Sequence, residues 1–163
     1  MNYVGRWALP ILGILCLVLP QGSAAQRRHL TTVAIGSTGA AQGGAPTAEA
    51  LKSTLADELA QLKGVGVAPA GTASFILHGS VIRLEREDAQ RFHCEVSLIV
   101  ADRRGGSVRM MLEGRAVAEG PSSAAQLQER ALRHAVRGAL RPLPEQLGAK
   151  KRRRVSRWNA DRR

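Results

Sequence analysis

Hydrophobic and polar positions change their period several times along the chain, and each change marks an element. From Arg91 to Val100 the alternation is clean. Phe92, Cys94, Val96, Leu98 and Val100 point one way, and Arg91, His93, Glu95 and Ser97 the other. That period of two predicts a half-buried strand. Val108 to Ala118 repeats it, with Val108, Met110, Leu112, Gly114, Ala116 and Ala118 together and Arg109, Glu113, Arg115 and Glu119 facing away. Asp102 to Gly106 (DRRGG) joins the two as a hairpin loop. Upstream, Ser74 to Glu87 reads as a long strand of imperfect pattern. Phe75, Leu77 and Val81 share one face, Ile82 and Leu84 take the other, and Gly79 is the expected site of a register-resetting bulge. Leu30 to Ile35 predicts a short β-branched strand, and Gly36 to Gly44 a flexible loop.

Two segments carry the helical period. After Pro46 and Thr47, apolar residues recur at three and four (Ala48, Leu51, Leu55, Leu59, Leu62) until Gly64 and Gly66 stop the run. Ser123, with Gln126 three residues later, forms a capping-box pattern and opens a helix over Ala124 to Leu140. Leu127, Ala131, Ala135 and Ala139 line its apolar stripe, and Pro142 and Pro144 end it. The predicted order is strand, helix, three strands, helix. Two amphipathic helices are then available to cover the apolar face of a half-buried sheet. The fold class expected is α+β: a two-layer sandwich of a mixed four-stranded sheet with both helices on one face. The three later strands form an antiparallel meander, and the first lies parallel to the second through a right-handed crossover.

The ends read differently. Met1 to Arg6 precedes an uncharged apolar run, Trp7 to Leu19, broken by Pro20. Small residues at Ser23 and Ala25 fit a signal-peptidase site before Gln26. Such a helix rises about 20 Å, short of a hydrocarbon core of roughly 30 Å. Residues 1–25 are therefore read as a secretory signal peptide, 26–149 as a single α+β domain and 150–163 as a disordered basic tail. Leu15 stands before Cys16 where a lipoprotein signal requires a small residue, which argues against a lipid anchor. Cleavage would leave Cys94 alone, in the apolar row of Phe92 and Val96, as a buried thiol. The expected location is exported, periplasmic or extracellular.

Charge sharpens this division. The 163 residues carry a net +11, yet Lys150 to Arg163 alone holds eight Lys/Arg against Asp161. The span from His29 to Ala149 is nearly balanced, with 13 Lys/Arg and 12 Asp/Glu. A nucleic-acid binder would carry its charge on the fold, and Trp158 is the tail's lone aromatic, so no base-stacking platform is present. The tail residues Lys150, Lys151, Arg152, Arg153, Arg154, Arg157 and Trp158 are the contact candidates for an anionic membrane or another polyanion.

Catalytic signatures are missing. Glu85, Glu87 and Asp88 cluster with Arg83, Arg86 and Arg91 around a turn, where solvated charges are the expectation. His78, His93, Cys94 and Glu95 lack metal-ligand spacing. Ser37, Ser80 and Ser97 lack a nucleophile elbow, and the Gly36–Gly44 loop matches neither phosphate-binding pattern. The chain is read as not an enzyme, with no catalytic residue, no cofactor, no metal site and no evident small-molecule substrate.

Taken in order, LTTVAIG, the glycine-rich loop, ALKSTLADELAQL ending in GVGV, ASFILHGSVIRLE, VSLIVADRRGG, SVRMMLEGRAVAE and a closing Ala-rich helix resemble a small bacterial periplasmic domain. The texture is similar to the TolB amino-terminal domain and to the curli-secretion lipoprotein and LpoB-like penicillin-binding-protein activator families, over residues 30 to 145. The resemblance implies an exported, non-enzymatic envelope binding or accessory module with an envelope protein as partner. The alternative is a polyanion- or nucleic-acid-binding protein driven by the basic tail.

Overall fold

The computed structural model describes residues 31–148. Strand β1 (Thr31–Ala40) leads into helix α1 (Gly44–Gln61), then β2 (Val65–Val67), β3 (Phe75–Asp88), β4 (Arg91–Asp102), β5 (Val108–Glu119) and helix α2 (Ala124–Leu140). The strands form one mixed sheet in the order β2-β1-β3-β4-β5. β1 runs parallel to both β2 and β3, and β3, β4 and β5 form the antiparallel meander. The α+β class and the two-helix cover agree with the pattern reading.

The sheet has five strands, where four were expected. Val65, Gly66 and Val67 pair with Thr31, Thr32 and Val33. Three residues are too few to carry a period. α1 ends at Gln61, where Leu62 turns extended, and Gly64, at φ +88°, turns the chain into β2. β1 is also longer than its β-branched stretch. Residues 36–40 of the segment expected to be a loop continue the strand, with a register shift between Ile35 and Thr38 and then Gly39 opposite Ser80 and Ala40 opposite Val81, and only 41–43 form the loop. Glycine and alanine leave no hydrophobic alternation to read; pairing with β3 holds this stretch extended.

β3 shifts register between Val81 and Arg83 and again between Arg86 and Asp88, not at Gly79; the first of these is the bulge that resets its face. Ile82 is the extra residue, and it returns Leu84 to the apolar side, where it packs against the core. Gly79 serves packing instead. A Cβ there would stand 3.0 Å from Leu55 and 3.2 Å from Leu51, so its absence lets α1 settle on the sheet.

The core lies between the helices and one face of the sheet. Leu51, Leu55 and Leu59 of α1 meet Val33, Leu77 and Val81, while Leu127, Ala131, Ala135, Val136 and Ala139 of α2 cover β4 and β5. Ser123 caps α2, accepting from the Gln126 N–H at 3.3 Å while the Gln126 side chain accepts from the Ser123 N–H. Pro142 does not end the buried run: residues 143–148 form one more helical turn that buries Leu143 and Leu147. No described helix is long and apolar enough to cross a membrane.

Candidate binding surface

Both helices pack on one face, so among the described residues the opposite face of the sheet is open. Alternation along β4 places Arg91, His93, Glu95, Ser97 and Ile99 there, each half-buried, between the buried residues of the core side. Register sets their neighbours. His78, Ile99 and Met111 form one row, Ser80, Ser97 and Glu113 the next, and Arg83, Glu95 and Arg115 a third. The face is apolar toward Ile76, Ile99 and Met111 and charged toward the β3–β4 turn.

On the charged half, Arg115 donates to Glu95 across the strands at 2.9 Å. Arg91 reaches Glu119 at 3.2 Å and Glu87 at 3.8 Å. Arg83 donates to Glu85. That hydrogen bond holds the Glu85 carboxyl below the usual carboxylate range and raises Arg83 in turn. These pairs are solvated and add little stability; they set a pattern of alternating sign. At the turn, Asp88 accepts from the Gln90 N–H at 2.8 Å, and Arg86 donates to the carbonyls of Asp88 and Ala89. Of the acidic cluster there, Asp88 shapes the turn, and Glu85 and Glu87 pair with Arg83 and Arg91.

At the other end of the sheet an open groove of about 440 Å³ lies between residues 72–74 and the β4–β5 hairpin. Arg103 donates through Nε to the Ala73 carbonyl at 2.8 Å, and Arg109 donates to the Asp102 carboxylate. Arg104 is exposed beside them. Three guanidiniums against one carboxylate make this rim cationic, a property the reading of DRRGG as a hairpin loop did not contain.

Sequence reasoning also missed a pair within β1 and β3. The Ser37 hydroxyl lies 2.7 Å from His78 Nδ1, and the Ser37 N–H donates to the same nitrogen at 3.2 Å. With the N–H as donor, Nδ1 is the acceptor and the hydroxyl donates to it as well. Forty-one residues separate the two, and parallel pairing alone brings them together. Both donors come from the irregular part of β1, so the contact ties that bulge to β3.

His93 and Glu95 share the open face, while Cys94 turns inward and is fully buried. Among the described residues no three His, Cys, Asp or Glu side chains converge as a metal site would require. The tail residues Lys150, Lys151, Arg152, Arg153, Arg154, Arg157 and Trp158 lie outside the described residues, as do residues 1–25.

No protein-family model matches the sequence, and no curated protein matches it. Solved structures share its fold. A dodecamer of a PelC variant from Paraburkholderia phytofirmans superposes with a TM-score of 0.56 at 17% identity, over 71% of this chain and 90% of that one. A second PelC dodecamer from the same organism gives 0.52 at 16% identity, over 66% and 87%. A DUF330 protein from Xanthomonas campestris gives 0.56 at 12% identity, over 78% and 93%. At these identities the likeness is one of fold.

Proposed function

We propose that the chain is an exported, non-enzymatic accessory module of the bacterial envelope that works by contact through the open face of its sheet. One observation carries the reading: both helices cover the same face, and the other presents an apolar half beside a row of alternating charge. The leader pattern of residues 1–25 supports export. The same fold in bacterial PelC, a dodecamer in its structures, supports a role in association. Fold alone does not deliver function, so the face itself must be tested. A photo-reactive side chain at Ile99 in the living cell should capture a protein that the same group at His134, on the exposed side of α2, does not. Equal capture at both positions overturns the reading.

A second reading rests on the charge of residues 150–163. Eight cations in that segment can each contribute about 1 kcal/mol near an anionic membrane, and Trp158 suits the headgroup level. Deleting residues 150–163 should abolish low-salt binding to anionic vesicles and leave the melting temperature within a few degrees. Vesicle binding that survives the deletion removes this reading, and salt-sensitive binding to nucleic acid in place of vesicles favours the polyanion alternative.

A further inference from the structure

β5 ends the sheet. It pairs with β4 along one side, and among the described residues no strand lies on the other. An unpaired edge of this length is a template for another strand. Of the five large hydrophobic side chains exposed among the described residues, three stand on this strand: Val108 at 60%, Met111 at 62% and Val117 at 49%.

The main chain of β5 settles which groups face outward. The Gly120 N–H donates to the Gln90 carbonyl at 3.1 Å. In an antiparallel pair alternate residues turn both main-chain groups toward the same neighbour. Even-numbered residues 112 to 120 therefore bond to β4, and odd-numbered residues 111 to 119 offer their N–H and C=O to the free edge. At the far end, the Glu119 carbonyl accepts from Arg130 at 3.5 Å.

The side chains on that strand are self-complementary. Laid antiparallel against a second copy about Gly114, Glu113 stands opposite Arg115, Met111 opposite Val117 and Leu112 opposite Ala116. Arg109, at the bulge, comes to the level of Glu119. Every hydrogen-bonding pair in this register joins two outward-facing residues. Moving the centre by one odd position, which preserves the hydrogen bonds, sets Glu113 against Glu113 or Arg115 against Arg115, and like charges directly opposite are destabilising.

The register also completes a row on the open face. Within one chain Arg83, Glu95 and Arg115 alternate in sign across three strands, and the second copy's Glu113 extends the series. Glu113 is exposed and, among the described residues, enters no ion pair, whereas Arg109, Arg115 and Glu119 of the same strand each do.

We infer that β5 is a homodimer interface: two copies of this chain join edge to edge, antiparallel about Gly114, into one continuous sheet with both open faces on the same side. The inference rests on the edge and side chains of β5 and does not depend on what the open face binds.

Sedimentation of the purified intact protein across a concentration series should show a monomer–dimer equilibrium. Glu113→Arg should weaken it about tenfold or more, since it places two like-charge pairs across the interface, and should leave the melting temperature unchanged at concentrations where both proteins are monomers. Register is tested by oxidative cross-linking. A mixture of Met111→Cys and Val117→Cys chains should yield a disulfide-linked dimer, because directly opposed strand residues lie within disulfide reach. Neither chain alone should do so, and each controls for the native cysteines. A monomer at every concentration, a dimer indifferent to Glu113→Arg, or cross-linking of Met111→Cys with itself would overturn the inference. If Glu113→Arg fails to fold, the cross-linking arm decides.

Discussion

Arg137 of α2 holds both carboxylate oxygens of Glu58 on α1, Nε at 2.8 Å and a terminal nitrogen at 2.9 Å. Glu58 is 5% exposed and Arg137 58%. The hydrogen bonds that Arg137 donates to Glu58 raise its pKa further. Two parallel bonds in the fork geometry fix direction as well as distance, so this pair clamps the two helices over the sheet.

The clamp predicts an asymmetry among arginines. Arg137→Ala strands a buried carboxylate and should lower the melting temperature by several degrees. Arg133→Ala removes an exposed pair with Glu129 within one helix and should barely move it. Replacing Glu58 and Arg137 together by leucine should recover part of the loss, because no charge then remains buried. Thermal melts of the four proteins check this; equal losses for the two single alanine variants would refute the clamp.

Two glycines on the core side of the sheet should respond differently to a methyl group. At Gly114 a Cβ would lie 2.0 Å from the Ala135 carbonyl oxygen and 2.9 Å from Ala139. Helix backbone cannot move aside cheaply, so Gly114→Ala should cost at least the upper part of the about 1–3 kcal/mol usual for overpacking. At Gly79 the neighbours are the methyl ends of Leu51, Leu55 and Leu98 at 3.0–3.3 Å. Those side chains can shift, so Gly79→Ala should cost about 1 kcal/mol or less. Denaturant titration of both variants tests the order.

What the sequence disclosed follows from how each element earns its burial. β4 and β5 are each covered on one face only, so Phe92 to Val100 and Met110 to Ala118 carry a clean period of two; Val108, expected in the same row, lies beyond a register shift and is exposed. α2 shows both its stripe and its cap. β1 beyond Ile35 and all of β2 are held by their neighbours' hydrogen bonds, and Gly39, Ala40 and Gly66 bear no hydrophobic signal. The bulge at Ile82 was hidden because an inserted residue looks locally like a change of face. Of the candidate surface, the charges on β3, β4 and β5 were legible one by one. Their meeting across strands, like that of Ser37 with His78, depends on register, which no local pattern encodes.

Ser123 is the cap on which the start of α2 relies. Its hydroxyl takes the Gln126 N–H, and the Gln126 side chain takes the Ser123 N–H, both at 3.3 Å. At that length the bonds are weak, so Ser123→Ala should cost about 0.5–1 kcal/mol. Ser123→Asp should be neutral or slightly stabilising, since it keeps the acceptor and adds negative charge at the positive end of the helix. Amide exchange in residues 124–128 should speed up in the alanine variant alone; unchanged exchange would mean that packing, not the cap, holds the first turn.

Cys94 is fully buried on the helix side of β4, and burial, with a smaller push from Glu95, raises its thiol pKa to about 12. A thiol in the unfolded chain ionises near pH 8.5. Below that pH both states keep the proton, and the thiol adds no pH dependence. Between about 8.5 and 12 the unfolded chain loses its proton first, so it binds fewer protons than the native state and stability must fall as pH rises. Measured against Cys94→Ala, the wild type should show a constant stability difference from pH 6 to 8 and a progressive relative loss from pH 9 to 11. Subtracting the two curves removes the other groups that titrate in that range. The thiol should also react slowly with a thiol reagent in the native protein and rapidly in denaturant. Equal rates in both, or a flat difference through pH 11, would place Cys94 on the open face and reverse the register of β4.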